Sequence, residues 1–436
     1  MMPRSRFSRR APLAGAAAAV VARRSAGAVP ALRWLPAKAY HIPSEYTSEE
    51  SGYQSIGEGL DGRIYIGTAK YRVTAHVVEF DPKRETMRSV VDVMKATGST
   101  ATGFAAQAKV HTPIVVAGPS GKLYFGSKQG YPTGAEKRTD YPGGYPLVYD
   151  PATGAARAYP IPIPHQGVIS HVADEARGIS YVSTCDDGRP VEVSHFMVLD
   201  LKTGKYRDLG DMGRSYAYIQ RDCRGRALHL ATAARVGAYD PATERLTMLE
   251  MMVDGARPGA DTLLHQNHPL QVGVSPDGKQ LYLLPMSENA LYVGDLTAAG
   301  DRLPLRRVAP VLAGAQGTTD CRALTVDHSG RVWAVVRQTI PDYGMTHHLC
   351  VYDPRTERCR DVGVPYVTNP GYVEVKDAEG KVKPWHHGFW TTPDGRLTPL
   401  HAHMALAAAR DGTVYVTIIY PFTLLRIQRD TLEKAG

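Results

Sequence analysis

The fold is decided by a stretch near the N-terminus, GEGLDGRIYIG at residues 57–67. It joins a short apolar strand to a strongly β-prone strand through a turn that ends in Gly62. Glycine supplies the positive φ that a tight hairpin needs. The same phrase recurs at residues 117–126, 173–183, 220–231, 274–284, 326–335 and 408–416. The sequence therefore predicts a chain built from one repeated β-hairpin.

A second hairpin follows most copies, marked by turns at Asp81, Asp150, Asp200, Asp240 and Asp353. Two hairpins make a four-stranded sheet, and successive turn glycines lie 47 to 82 residues apart, which is near the blade length of a β-propeller. We therefore predict an all-β fold, a seven-bladed β-propeller over residues 36–436. The widest gap holds an insertion, about residues 366–399, where an eighth blade is the alternative. The last copy is short, so residues 39–46 are expected to supply its outer strand.

Composition limits the classes of function. The chain has 436 residues with a net charge of +8, and residues 1–35 carry seven arginines and no acid. The remainder is nearly neutral, so no nucleic-acid partner is expected. Residues 1–35 resemble an export signal, with a disordered basic leader as the alternative. No segment is long enough to span a membrane. The five cysteines form no CxxC frame, and Cys350 and Cys359 can face each other across a hairpin.

The repeat also predicts where a site lies. In a propeller blade the first strand starts on the face opposite the glycine turn, so residues about ten before each turn glycine ring the axis. Six of the 16 histidines fall in this register. The residues of this ring are Tyr53, His111, His165, Tyr216, His265, His268, Cys321, Arg322, His401 and His403. Second-strand ends and the loops after them add Lys128, Tyr131, Arg189, His195, Arg337 and Tyr420 on the same face.

A metal site is one interpretation of this ring. His268, Cys321 and His403 fall at nearly one level in successive blades, with His401 as the alternative to His403. Two imidazoles and a thiolate are a ligand set suited to zinc. The sequence therefore predicts a divalent metal at these three residues, and no other cofactor.

Two phrases resemble a known family. KVHTPI at residues 109–114 with LYFG at 123–126, and GTVYV at 412–416 with LLR at 424–426, resemble propeller-fold polysaccharide lyases of the ulvan and rhamnose-glucuronate group. The resemblance implies β-elimination beside a uronic acid, with His111 at a catalytic position and His165, Tyr216 or Arg322 as base, acid or clamp. Lys128 stands where the family has a second histidine. Cys185 and Val198 stand near its later tyrosine and arginine, which puts the lyase chemistry in doubt.

Two functional hypotheses follow. The first is an exported lyase that acts on an acidic oligo- or polysaccharide, and the second is a non-catalytic propeller that binds a glycan or protein on the same face. The catalytic candidates are His111, Lys128, His165, Tyr216 and Arg322. The substrate-binding candidates are Tyr131, Arg189, His195, His265, Arg337 and Tyr420.

Overall fold

The computed structural model describes residues 32–185, 194–214, 216–315, 320–340, 343–373, 388–400 and 405–434. Residues 1–31 lie outside this range, so the export prediction for the leader falls almost wholly outside the described residues. Arg189, His401 and His403 lie outside it as well.

The described residues form 31 strands and two short α-helices. The first two repeats contain β1 (Trp34–His41), β2 (Glu50–Glu58), β3 (Ile64–Ala69), β4 (His76–Asp81), β5 (Thr86–Asp92), α1 (Val93–Thr97), β6 (Lys109–Val110), β7 (Val115–Val116), β8 (Leu123–Lys128), β9 (Pro146–Asp150) and β10 (Ala155–Ala158). The third and fourth contain β11 (Gly167–Asp174), β12 (Ile179–Cys185), β13 (His195–Asp200), β14 (Tyr206–Asp211), β15 (Gln220–Arg221), β16 (Ala227–Ala231), β17 (Arg235–Asp240) and β18 (Arg245–Val253).

The fifth and sixth repeats contain β19 (Leu270–Val274), β20 (Gln280–Pro285), β21 (Leu291–Asp295), β22 (Arg302–Val308), β23 (Asp320–Val326), β24 (Val332–Ile340), β25 (Gly344–Asp353) and β26 (Arg358–Val367). The last part of the chain contains β27 (Phe389–Thr391), β28 (Leu397–Pro399), β29 (Leu406–Ala408), β30 (Val414–Ile418), β31 (Thr423–Ile427) and α2 (Arg429–Lys434). The limits of the insertion at about 366–399 stay a prediction, because residues 374–387 lie outside the described residues.

All seven predicted hairpins are present. Each copy of the repeat pairs two strands in antiparallel fashion: β2 with β3, β7 with β8, β11 with β12, β15 with β16, β19 with β20, β23 with β24 and β29 with β30. The seven turn glycines all have positive φ, from 68° at Gly178 to 87° at Gly330. The all-β prediction is therefore confirmed, and the repeat was correctly identified from its glycine turns.

The hairpins continue outward as antiparallel meanders. For example, β11, β12, β13 and β14 form one four-stranded sheet in chain order. The N-terminal strand β1 joins the opposite end of the chain, since Lys38 to His41 pair with Arg426 to Thr423 of β31. The outer strand expected from residues 39–46 is thus supplied in part by that segment, although β1 begins at Trp34. Residues 34–37 of β1 also pair in parallel with β26.

The inner strands are buried on both sides because neighbouring sheets pack face to face. Every residue of β3, β8 and β30 is buried. Glycine allows the closest approach: a Cβ at Gly126 in β8 would lie 2.3 Å from Cγ1 of Val168 in the next repeat. The second strand of a repeat therefore needs a residue without a side chain where two sheets meet.

Cys350 and Cys359, which can face each other across the predicted hairpin, form no disulfide. Cys350 lies opposite Asp361 across the hairpin, and Cys359 lies opposite Tyr352. The two cysteines are therefore two residues out of register across the hairpin. All five cysteines are free thiols.

Candidate functional site

A cavity of about 250 Å³ opens where the first strands of several repeats begin. Five repeats contribute to its wall, because their first strands begin on the same face of the molecule. The wall consists of Tyr53, Gln54, His111, Tyr131, Tyr216, Tyr218, Pro269, Leu270, Gln271, Met286 and Arg322. A second space of similar size shares Gln54, Tyr218 and Gln271 with it, so the opening continues between the inner strands.

The structure brings together five of the catalytic and substrate-binding candidates, beside Tyr53 of the predicted ring. His111, Tyr131, Tyr216 and Arg322 line the cavity, and Lys128 reaches it through Tyr216. These residues come from the second, fourth and sixth repeats, so only the closed arrangement of repeats makes them neighbours.

Lys128 and Tyr216 form the central contact. The Lys128 ammonium donates a hydrogen bond to the Tyr216 hydroxyl over 3.2 Å and lies 4.6 Å from the centre of the same ring. Lys128 ends β8, and its side chain is only 1% exposed. A phenol hydroxyl beside a buried ammonium group is a pair that can both hold an anion and move a proton.

His111 lies between two aromatic rings. Its imidazole stacks on Tyr53, with ring centres 4.5 Å apart and planes inclined by 24°, and its centre is 5.4 Å from that of Tyr216. Tyr53 and Tyr216 both have φ of 52°, a backbone conformation that costs a non-glycine residue on the order of 1–3 kcal/mol. Such strained residues cluster at ligand sites, so the two tyrosines mark this cavity independently of its shape.

Arg322 is held in the cavity wall by Asp320 and Gln54. Its Nε donates to both carboxylate oxygens of Asp320 over 3.0 and 2.8 Å, and the amide of Gln54 donates to its carbonyl oxygen over 2.8 Å. Arg337 contacts the same Asp320 carboxylate at 3.2 Å. Asp320 therefore fixes both predicted arginines, of which Arg322 reaches the cavity wall.

The electrostatics of the cavity favour an anion. Lys128 brings positive charge, the charge of Arg322 is shared with the Asp320 carboxylate behind it, and no carboxylate side chain belongs to the wall as far as the chain is described. Burial raises the pKa of Tyr218 well above its usual range, although the charge of Lys128 opposes this shift. The phenol of Tyr218 is therefore neutral at physiological pH and does not offset the positive charge of Lys128.

Sequence reasoning missed Lys109 and Tyr71 near the mouth of the cavity. The Lys109 ammonium lies 3.9 Å from the ring centre of Tyr131 and 5.1 Å from that of Tyr71. Lys109 stands two residues before His111 and begins the short strand β6. That spacing was a signal for Lys109, whereas nothing local pointed to Tyr71.

Several predicted residues lie away from the cavity wall. His165 is exposed, with Nδ1 2.7 Å from the carbonyl oxygen of Tyr141. His195 pairs with Asp208 over 2.9 Å. His265 and Tyr420 are partly buried outside the wall, and the carbonyl of Tyr420 accepts from the amide of Gly388. Arg189 lies outside the described residues.

The zinc hypothesis rests on residues that the structure describes only in part. The buried Nε2 of His268 makes no hydrogen bond, which suits a metal ligand, and burial and Arg214 lower the pKa of its imidazole. Burial raises the pKa of the Cys321 thiol to about 12, so this residue is a thiol at neutral pH. Among the described residues, no three His, Cys, Asp or Glu side chains are close enough to hold a metal ion. His403 lies outside them, so a zinc site stays a prediction.

Solved structures resemble this chain in fold. The β-propeller domain of Cps50 (Swd1) from Myceliophteria thermophila superposes with a TM-score of 0.50 at 10% identity, over 90% of this chain and 99% of that one. U3-55K gives a TM-score of 0.52 at 8% identity, over 89% and 98%. A periplasmic gluconolactonase of Pseudomonas aeruginosa gives 0.44 at 15% identity, over 84% and 96%. No protein-family model and no curated protein matches the sequence.

The chain is therefore a β-propeller, as its repeat predicts. At these identities the likeness extends to the fold alone, and a fold does not determine a function. The number of blades stays a prediction. Within the described residues, no helix has the length and apolar character needed to cross a bilayer.

Proposed function

We propose that the cavity binds a uronate residue of an acidic oligo- or polysaccharide and that the protein cleaves the adjoining linkage by β-elimination. The observation that carries this proposal is the contact between Lys128 and Tyr216 beside His111, in a tyrosine-rich cavity. Export of the chain, inferred from residues 1–35, is part of the same proposal.

The reaction needs three kinds of group. A cation must neutralise the uronate carboxylate, because the proton on the neighbouring C5 is otherwise too weakly acidic to remove. A base must take that proton, and an acid must protonate the departing oxygen. The cavity wall supplies candidates for all three within one ring of side chains.

We assign the neutralisation of the uronate carboxylate to Lys128 and Arg322. The imidazole of His111 takes the C5 proton, the electron pair forms the C4=C5 double bond, and the bond from C4 to the glycosidic oxygen breaks. The Tyr216 hydroxyl gives its proton to that oxygen, and exchange with water restores both residues. The resemblance to polysaccharide lyases supports the position of His111.

The site departs from the pattern of that family at three positions. Lys128 stands in place of a histidine, and its positive charge suits the group that neutralises the uronate carboxylate. Cys185 and Val198, which stand near a family tyrosine and arginine, are 0% and 8% exposed and belong to apolar clusters. On this proposal Tyr216 and Arg322 take over those two roles from other repeats.

The proposal is tested by incubating the full chain with a panel of uronate-containing glycans and following the ultraviolet absorbance of the unsaturated product. We expect Tyr216→Phe and His111→Gln each to lower the rate by at least about 100-fold. The matched controls are Tyr366→Phe and His195→Gln, whose side chains lie outside the cavity wall, and we expect wild-type rates for both. Binding of uronates without any unsaturated product would rule out the lyase.

A non-catalytic glycan-binding propeller is the second candidate. The observation that favours it is the enclosure of His111, which is 3% exposed, stacks on Tyr53 and lies in tilted contact with Tyr216. An imidazole in this position can serve as part of a rigid binding surface as well as it can serve as a catalytic base. Measurable uronate binding that needs Lys128 but yields no product would select this candidate.

A further inference from the structure

We propose that Tyr131 forms a second sugar subsite at the mouth of the cavity, so that the ligand recognised is at least a disaccharide. This inference rests on the proposed function, because the uronate in the cavity is its first half. The inference adds a minimum length for the ligand and places its second sugar ring at the mouth of the cavity.

Tyr131 is both a wall residue and a surface residue. It lines the cavity with His111, yet 57% of it is exposed. Only two other large hydrophobic residues of the described chain, Leu60 and Val73, are exposed to a similar degree. A large ring that is half outside a binding cavity offers its apolar face to whatever projects from the cavity.

The orientation of the ring follows from the burial of Lys109. The Lys109 ammonium lies 3.9 Å from the centre of the Tyr131 ring, and Lys109 is only 3% exposed. The lysine therefore contacts the inner side of the ring, and the exposed area belongs to the outer side. Tyr71 packs at 5.5 Å between ring centres and fixes the tilt of Tyr131.

The loop that carries Tyr131 is braced before any ligand arrives. Arg72, in the loop of Tyr71, binds both carboxylate oxygens of Glu136 over 2.9 and 3.0 Å. The amides of Thr133 and Phe104 donate to the same carboxylate over 2.8 and 3.1 Å. Together with Arg72 they lower the pKa of Glu136 to about 2, so the brace persists through the physiological pH range. A platform fixed in advance loses little entropy on binding.

The size of the cavity requires a platform of this kind for a longer ligand. Sites for small molecules usually enclose about 300–1,000 Å³, and this cavity encloses about 250 Å³. The space that continues from it runs inward between the inner strands, so a sugar ring joined on the outer side of the uronate lies at the mouth, against Tyr131. The C–H face of a pyranose packs on a phenol ring while its hydroxyls stay in water.

Calorimetric titration of the full chain tests the inference. The probes are glucuronate and two disaccharides in which glucuronate carries glucose on C1 or on C4. The second disaccharide is titrated into Tyr216→Phe, with glucuronate as the reference in that variant, so that cleavage during the titration is at least about 100-fold slower. We expect one disaccharide to bind about tenfold more tightly than glucuronate, from one aromatic contact.

We expect Tyr131→Ala to abolish this gain, measured as the ratio of the affinities for the disaccharide and for glucuronate in the same variant, and Tyr131→Phe to keep it. The matched control is Leu60→Ala, an exposed apolar residue in the turn before Gly62. A disaccharide that gains nothing, or a gain that survives Tyr131→Ala, overturns the second subsite and leaves the proposed function standing. Failure of glucuronate itself to bind overturns the proposed function, and the subsite with it.

Discussion

Two of the positive charges at the site lie on side chains that water barely reaches. Lys109 and Lys128 are 3% and 1% exposed, and each ammonium contacts a tyrosine ring that lines the cavity. Bulk salt and solvent weaken a buried charge much less than a surface charge. An anionic group that enters the cavity therefore meets a stronger attraction than the small net charge of the protein suggests.

Arg214 shows how a single buried cation can hold a loop beside the site. It is 0% exposed, and its guanidinium donates to the carbonyl oxygens of Ala231, Leu264 and His268 over 3.1, 2.6 and 2.5 Å. Burial lowers the pKa of Arg214 to about 10, so it remains charged at neutral pH. His268 precedes the wall residue Pro269, and Arg214 is therefore a positioning residue.

We expect Arg214→Met to lower the free energy of unfolding by about 3 kcal/mol or more, because three carbonyl groups lose their donor in a dry environment. Urea denaturation of the purified protein measures this loss. Arg84→Met, at an exposed position, is the control and should change stability by less than about 0.5 kcal/mol. A loss below about 1 kcal/mol for Arg214→Met would show that water replaces the guanidinium.

At the scale of the elements, buried histidines connect neighbouring repeats. His171 in β11 donates from Nδ1 to the carbonyl oxygens of Phe125 and Leu147, in β8 and β9 of the preceding repeat. His229 in β16 accepts at Nε2 from the hydroxyl of Ser183 in β12 over 2.7 Å. Both are fully buried, so these imidazoles fasten one sheet to the next.

These two histidines predict how stability depends on pH. Burial lowers the pKa of each imidazole from 6.5 to about 4. Because the folded state favours the neutral form, the contribution is complete above pH 6.5 and is lost as pH falls through 4. Each histidine accounts for about 3 kcal/mol over that window.

We expect His171→Gln to be less stable than wild type at neutral pH but to lose about 3 kcal/mol less on acidification, since one of the two groups no longer titrates. Urea denaturation across the window gives both slopes. Val182→Ala is the control, because this buried position carries no titratable group and the variant should lose stability without a change of slope. Equal slopes for wild type and His171→Gln would contradict the assignment.

The same elements show what the sequence can and cannot reveal. Gly62 and its six counterparts were predictable because a hairpin turn depends on a few adjacent residues. His111, Tyr216 and Arg322 were predictable because the repeat fixes which residues begin each inner strand. The roles of His171 and His229 and the position of Tyr71 were not, because they depend on how one sheet packs on the next. No pattern within a repeat encodes that packing.

At the scale of the whole molecule, the first and the last described strands meet in one sheet. Strand β1 pairs with β31 on one side and β26 on the other, and it buries Leu35, Ala37 and Ala39 to 1% exposure each. Without β1 both neighbouring strands would present unpaired edges, which are prone to association with other chains. One short segment thus determines whether the last repeats are complete.

We therefore expect a chain that begins at Ile42 to be less stable than one that begins at Leu32. The loss should exceed about 3 kcal/mol, from the apolar burial of β1 and from its strand pairing on both edges. Thermal unfolding followed by circular dichroism, with light scattering to detect association, measures both consequences. The chain that begins at Leu32 is the matched control, since it retains all of β1. Closely similar unfolding curves for the two chains would show that the sheet closes without β1.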